Sequence, residues 1–305
     1  MKSSVFKSVV KQLNRGESVE LILNSGEKEY IRRFEKNDRL ILLGCGHVSL
    51  DVYRFAIMLG FSVVAVDDRP SFANSERFPL AQVICDSFVS AIQKLCITES
   101  DYVCVLTRGH RWDKECVEAI LSGTMPYYLG MIGSRRRVAG LKDTLAENHY
   151  ASDRIEQLHA PIGLDIGSVT TAEIALSICA QLIQEKRKIK YLPKDNELIQ
   201  TNVDEKLIAY LADIKDPCAL VTVLESSGST PVKSGSMMAV DRIGRTVGTI
   251  GGGCSEAAAI AKARHVLSKG DVEVLRIDMS NEVAAESGMV CGGEMTVLIE
   301  KIIPA

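Results

Sequence analysis

RLILLGCGHVSLDVYRFAIMLGFSVVAVD, residues 39–67, decides the fold. The apolar run Leu40–Leu43 meets a glycine-rich turn, Gly44-Cys45-Gly46-His47-Val48-Ser49. A helical pattern follows, and a second apolar run, Val63–Val66, ends at Asp67. This is a strand–turn–helix–strand unit with an acidic residue at the second strand's tip, roughly twenty residues past the glycines. Gly44 permits the tight turn. Gly46 lets a phosphate approach the backbone, and the helix N-terminus offers it unpaired N–H groups. Ser49 holds the third small position and still allows the helix to pack closely on the strand. G-x-G-x-x-S by itself is a common pattern; the flanking strand, helix and Asp67 make it point to a nucleotide-type fold. The structural alternative is a doubly wound scaffold with a vestigial ligand site, because fold does not fix function.

Strand and helix patterns continue to alternate downstream. Strands are expected at Ala81–Cys85, Asp101–Thr107 and Pro126–Leu129, with helices near Ser87–Leu95, Lys114–Leu121 and Arg135–Asn148. Ala172–Lys186 reads as a long amphipathic helix, with Thr170, Thr171 and Glu173 supplying capping chemistry at its start. Upstream, Ser4–Leu13 reads as a helix, and Ser18–Leu23 with Lys28–Phe34 as a hairpin around Asn24-Ser25-Gly26. Periodicity fails over Arg187–Asn196, where Pro193 interrupts it, so a linker is set at 188–202. Beyond it come a helix (Val203–Ile214), strands (Cys218–Glu225, Gly235–Val240, Arg245–Thr249), a helix (Ser255–Leu267) and strands (Val272–Ile277, Met295–Ile302).

The expected fold class is α/β: a Rossmann-like doubly wound parallel sheet at 38–187 plus a smaller α+β domain at 203–305. Residues 1–37 form an N-terminal helix and hairpin. That segment is a partial repeat of the second domain's opening, a piece that docks on its sheet, or a coincidence of layout.

At 305 residues, two domains are expected. The net charge of −3, from 36 basic and 39 acidic side chains, gives no case for nucleic acid or an anionic membrane surface. No apolar run is long enough to span a bilayer, and Met1–Leu13 is amphipathic rather than a signal-peptide core. The nine cysteines are an odd number, and Cys85, Cys104, Cys179 and Cys218 sit inside apolar strand or helix patterns. That argues for a reducing cytoplasm and against a disulfide framework. The chain has no C-x-x-C pair, so no structural zinc site is expected.

Five segments carry candidate chemistry. In the first turn His47 meets the positive end of a helix dipole, which favours neutral imidazole; it serves either a ligand or the helix cap. Thr107-Arg108-Gly109-His110-Arg111-Trp112-Asp113 follows a strand, where parallel sheets collect ligands, and suggests an anion or pterin-like pocket. In Leu129-Gly130-Met131-Ile132-Gly133-Ser134-Arg135-Arg136-Arg137, two glycines relax the backbone after a strand and Ser134 caps a helix. Arginines in a helix's first turn conflict with the dipole unless an anion is bound, which points to a phosphate contact; the alternative is a solvated basic turn. The segment His159–Gly167 is a non-periodic loop in which Asp165 needs a partner if buried. In Gly251-Gly252-Gly253-Cys254-Ser255-Glu256, glycines allow close backbone approach and Cys254 lies at a helix N-terminus that stabilises a thiolate. The segment reads as an anion cradle or a reactive-sulfur site, with Glu256 suited to the dipole.

Cys254 is the leading candidate thiol, and Cys291, in Cys291-Gly292-Gly293, is the second; together they would suit a soft metal or sulfur transfer unless both are spectators. Ser226–Gly235, which contains Ser229 and Lys233, adds a donor-rich loop suited to phosphate or carboxylate.

These segments together resemble the XdhC/CoxI family of accessory proteins for molybdenum hydroxylases. Gly44–Val48, Val66–Pro70, Arg77-Phe78-Pro79, Thr107–His110, Gly130–Arg137 and His159–Gly167 look like that family's Rossmann domain. Glu225–Gly235, Gly251–Glu256 and Cys291–Gly293 look like its other domain. Two departures stand out. The order of the two domains is reversed relative to the more familiar arrangement. Val232, followed by Lys233, also stands where the family tends to carry an arginine after the proline.

The resemblance implies a cytoplasmic, homodimeric protein that binds molybdenum cofactor, as molybdopterin or its dinucleotide form. It would hand the cofactor to a xanthine dehydrogenase-type apoenzyme and support its sulfuration, with a cysteine desulfurase or a cofactor-biosynthesis protein as a further partner. Gly44, Gly46, His47, Asp67, Arg108, His110, Arg135, Ser229, Lys233, Gly252, Gly253 and Cys254 are the candidate cofactor-binding residues, with Cys254 the candidate molybdenum contact. They are expected to converge on one cleft between the two halves. No convincing acid–base pair is present, so a cofactor-insertion chaperone is expected rather than a turnover enzyme. The competing reading is an NAD(P)-dependent oxidoreductase in which Asp67 binds the adenosine ribose and His110 acts as acid or base. A third is a docking partner that holds no cofactor.

Overall fold

The structure, a computed structural model, describes residues 1–26, 28–188, 196–198, 204–228, 230, 232–270, 272–278 and 293–305, with Cys254 described through its backbone. The chain divides into two compact units: Asn37–Lys190, and Met1–Lys36 together with Tyr191–Ala305.

The N-terminal segment supplies α1 (Ser3–Asn14) and a hairpin of β1 (Val19–Ser25) and β2 (Lys28–Phe34). Unit 37–190 then runs β3 (Arg39–Leu43), α2 (His47–Met58), β4 (Ser62–Asp67), β5 (Gln82–Cys85), α3 (Phe88–Leu95), β6 (Tyr102–Val105) and α4 (His110–Leu121). It continues through β7 (Tyr128–Met131), α5 (Arg135–Glu147), α6 (Ser152–Glu156), β8 (Leu158–His159) and α7 (Thr171–Lys188). Its six strands are parallel and ordered β5-β4-β3-β6-β7-β8. Counted within the unit this is 3-2-1-4-5-6, the doubly wound order in which ligands bind where the strand order reverses, here between β3 and β6.

Alternation along β3 builds two cores at once. Leu40 and Leu42 pack with Val52 and Ala56 of α2 and Ile178 and Leu182 of α7. Ile41 and Leu43 pack on the other face with Ala91 and Leu95 of α3, Val117 of α4 and Val138 of α5. The start of α7 forms a capping box: Thr170 Oγ1 accepts from Glu173 N–H at 3.3 Å, and Glu173 Oε2 accepts from Val169 and Thr170 N–H at 2.8 and 2.9 Å.

Two differences from the expected boundaries bear on the site. Helix α4 starts at His110, four residues before the apolar pattern suggests, because Asp113 occupies an inward position and finds its charge partner there. Strand β7 runs through Gly130 rather than ending before it. A Cβ at Gly130 would lie 2.6 Å from Ile162 Cδ1 and 2.7 Å from Tyr128 Oη, so this glycine makes room for packing inside the sheet.

The other unit adds α8 (Glu205–Ala212), β9 (Cys218–Gly228), β10 (Met237–Val240), β11 (Thr246–Gly248), α9 (Gly253–Lys269), β12 (Glu273–Asp278) and β13 (Gly293–Ile302). The sheet is antiparallel, ordered β11-β10-β9-β13-β12. Val221, Val223 and Val297 meet Ala259, Ala263 and Val266 of α9 on one face. Leu220 and Leu298 meet Phe6 and Val9 of α1, Leu207 and Leu211 of α8, and the hairpin's Leu23 and Phe34 on the other. The N-terminal helix and hairpin therefore complete this unit's second core, and a parallel bridge joins Lys2 to Ile303.

Candidate functional site

In unit 37–190 the carboxyl ends of β3, β4, β6 and β7 carry the chemistry-bearing loops. Gly44 has φ +106°, and a Cβ there would sit 2.3 Å from Leu106 O, so glycine is demanded by the contact between β3 and the loop after β6. The next residue, Cys45, is buried, and burial is the main cause that pushes its thiol pKa up to about 12. Its N–H donates to Asp67 Oδ2 at 2.8 Å, and its carbonyl accepts from Arg77 Nη2 at 3.0 Å. Gly46 caps α2 without any side-chain hydrogen bond, and His47 beside it is exposed.

Asp67 is put to internal use. It is 1% exposed and accepts from Cys45 N–H, from Arg69 N–H at 3.1 Å, and from Arg69 Nε and Nη2 at 2.8 and 2.9 Å. The carboxylate that would receive a ribose hydroxyl is thus already surrounded by donors of its own chain. Beside it Asp68 accepts a two-pronged bond from Arg108 at 2.5 and 2.8 Å, which holds the Asp68 carboxyl below the usual carboxylate range. Arg108 also lies 4.9 Å from the Trp112 ring, and Arg69 and Arg77 both stack on Phe72.

One strand further on, a groove of about 520 Å³ opens between α4 and α5. His110, Asp113 and Lys114 line it from α4, and Arg136, Arg137, Gly140, Leu141 and Thr144 from α5, with Met131 and Ser134 at the strand end. Asp113 is buried, accepts from Thr107 Oγ1 at 2.5 Å and is paired with Arg137 Nη2. Burial raises the Asp113 carboxyl pKa, against the opposing pull of Thr107 and Arg137. Ser134 caps α5 by accepting from Arg137 N–H at 3.3 Å. Arg135 points away to Asp165 at 2.9 Å, and both side chains are exposed, so Asp165 is a surface partner rather than a buried carboxylate.

In the other unit the loop between β11 and α9 takes three successive left-handed conformations, φ +110°, +76° and +63° at Gly251, Gly252 and Gly253, which side chains rarely tolerate. The loop cradles an anion of its own. Glu256 Oε1 accepts from Thr249 Oγ1 at 2.5 Å, Ile250 N–H at 3.1 Å and Gly252 N–H at 3.0 Å. Cys254 is the second residue of α9. Strand register brings the β11–α9 loop to the same end of the sheet as the β9–β10 connection with the exposed Lys233, and as Gly293, which pairs with Gly228. Ser229, Cys291 and the Cys254 side chain lie outside the described residues. Among the described residues no group of three or more His, Cys, Asp or Glu is arranged to hold a metal ion, and no helix is long and apolar enough to cross a membrane.

Arg69, Arg77, Lys114, Arg136 and Arg137 stand at these sites without having been singled out one by one from the sequence. Their signal was present in the Asp67-Asp68-Arg69 and Arg77-Phe78-Pro79 strings and in the basic start of α5, but which arginine meets which acid depends on tertiary pairing.

A Rossmann-type sheet followed by a smaller antiparallel domain with a glycine–cysteine loop defines a two-part class. The XdhC Rossmann domain matches residues 40–182, and the XdhC and CoxI family matches residues 211–278. The chain belongs to the XdhC/CoxI family, with the Rossmann part first. It is 33% identical over 150 residues to the uncharacterized protein YqeB of Escherichia coli (strain K12), covering 48% of this chain and 27% of that protein. It is 30% identical over 165 residues to a probable xanthine dehydrogenase subunit of Bacillus subtilis (strain 168), covering 52% of this chain and 46% of the relative. A solved structure described as a xanthine dehydrogenase from Bacillus halodurans aligns with TM-score 0.49 at 29% identity, covering 56% of this chain and 50% of that one. The chain therefore spans between about a quarter and a half of the length of these relatives.

Proposed function

We propose that this protein binds molybdenum cofactor as cargo, supports its sulfuration and delivers it to a xanthine dehydrogenase-type molybdenum hydroxylase. The observation that carries the reading is the Gly251–Gly253 loop. Its three left-handed glycines place no side chain over the start of the helix that bears Cys254, and Glu256, which accepts from Ile250 and Gly252 N–H, demonstrates that the amides of this loop accept a carboxylate. Family membership and the name of the Bacillus subtilis relative support the choice of cargo and recipient.

In this reading Gly252 and Gly253 let the cargo approach the backbone, Cys254 meets molybdenum or relays sulfur as a thiolate, and Lys233 with Ser229 receives anionic groups. In the Rossmann unit Gly44, Gly46 and His47 form the turn, Arg108 supplies positive charge beside Asp68, and His110 lines the neighbouring groove, while Arg135 is turned to Asp165 and takes no part. The nicotinamide reading depends on Asp67, whose carboxylate is buried and already bonded to Cys45 and Arg69.

The test is purification from cells that make molybdenum cofactor, with pterin and molybdenum measured on the protein. Activation of an inactive hydroxylase is then assayed with wild type and Cys254→Ala. Bound pterin with metal, and a clear loss of activation in the variant, are expected. Protein free of both, giving no activation, would end the reading.

A further inference from the structure

We infer that the groove between α4 and α5 is a binding site for a phosphate monoester. The groove stands at the carboxyl ends of β6 and β7, where parallel sheets gather ligands. Its volume of about 520 Å³ falls in the small-molecule range of about 300–1,000 Å³ and leaves room for an organic body beside a phosphate.

The charge of its walls is unbalanced. Lys114, Arg136 and Arg137 line it against one carboxylate, Asp113, and His110 adds a further cation when protonated. Asp113 is buried and engaged by Thr107 and Arg137, so it fixes the Arg137 guanidinium and offsets its charge, leaving Lys114 and Arg136 in excess. Among the described residues the ion-pair partner of Lys114 is a loose one, Glu118 at 3.8 Å, which lies outside the lining.

Helix α5 opens with three arginines and no acidic residue in its first turn. Cations there face the positive end of the helix dipole, a cost that a bound anion reverses. The Nε–H of Arg137 is buried and finds no acceptor among the described residues. Met131 and Leu141 supply apolar wall. The α5 side is open at Gly140, where an added Cβ would meet nothing within 4 Å.

The same chemistry is offered by a nucleoside monophosphate and by a pterin phosphate. The site does not require that the protein carry molybdenum cofactor.

The test is calorimetric titration of the full chain with inorganic phosphate at fixed ionic strength. Saturable binding is expected, weakened about tenfold in Arg136→Ala and in Lys114→Ala, the loss of one charge-assisted hydrogen bond in each case. Arg54→Ala removes the same charge from an exposed position on α2 and is expected to bind as wild type does. Competition with 5′-AMP and with neopterin monophosphate follows, and the ester that binds more tightly than inorganic phosphate names the carrier. No saturable phosphate binding, equal weakening in Arg54→Ala, or neither ester surpassing phosphate would overturn the assignment. Phosphate binding by a protein that never acquires pterin would sink the cargo reading alone; a pterin-loaded protein with no phosphate binding in this groove would sink this one alone.

Discussion

Cys45 and Asp67 are joined across the end of the parallel sheet: the Cys45 N–H donates to Asp67 Oδ2 at 2.8 Å. The bond ties the turn after β3 to the tip of β4, and Arg69 closes the other side of the carboxylate. Asp67→Ala would leave a buried N–H and a guanidinium without their acceptor. Arg69 is about a third exposed and can turn to water, so the cost is that of the unpaired Cys45 amide and the lost charge-assisted bonds, about 1–3 kcal/mol, and Asp67→Asn, which keeps an acceptor for Cys45, should cost less. Urea unfolding measures both. A loss below about 1 kcal/mol in Asp67→Ala would mean that the latch is unimportant to the fold. Loss of nucleotide binding in that variant would not by itself identify a ribose contact, because the turn itself is expected to loosen.

The parallel sheet was legible because β3 and β4 are apolar on both faces and bounded by glycine and aspartate, a pattern few other settings accept. The partners of the charged residues were not. Asp113 lies on the buried face of α4 in step with Cys116, Val117 and Ile120, so its polarity disguised the first turn of that helix. Its pairing with Arg137, 24 residues later in sequence, and the Thr107 hydroxyl together make the position tolerable. Glu256 is similar. Its place in a helix's first turn suggested a dipole role, whereas three donors of the preceding loop converge on one of its oxygens.

That convergence gives a second prediction. Glu256→Ala should expose the Ile250 and Gly252 amides and destabilise the loop by about 1–3 kcal/mol, the range for leaving a donor without its acceptor. Hydrogen exchange at those two amides should accelerate. If the loop is an anion cradle held closed by its own carboxylate, sulfate should restore the variant's thermal stability and do little for wild type. Restoration that is equal in both proteins would show that the vacated cradle takes no external anion.

The cysteines separate by environment. Cys45, Cys104, Cys116, Cys179 and Cys218 are buried, and burial is the main cause that pushes Cys45 and Cys179 up to about 12 and Cys218 up to about 11. These five thiols should resist maleimide at pH 7 until the protein unfolds, while the exposed Cys85 and Cys96 should react. In a Cys85→Ser, Cys96→Ser variant, fast labelling that maps to Cys254 is expected from a thiolate at the start of α9. Mass spectrometry of the labelled peptides decides it. A Cys254 no faster than the buried five would remove the sulfur-relay role.

Glu300 on β13 carries a pH signature. Burial raises its carboxyl pKa above the ordinary value, against the pull of the chain's amino terminus, and its Oε2 finds no hydrogen-bond partner among the described residues. The folded chain therefore holds this proton more tightly than the unfolded chain does. The cost of keeping Glu300 charged is fully present above its folded pKa and fades as pH falls through that value toward the unfolded one. Glu300→Gln removes the charge and keeps the shape. It should stabilise the protein by about 1 kcal/mol at pH 7, where wild type carries the penalty, and by much less at pH 4, where wild type has taken up the proton. Urea midpoints of the two proteins at both pH values give the difference directly. A gain as large at pH 4 as at pH 7 would place its origin in packing rather than in the titration of Glu300.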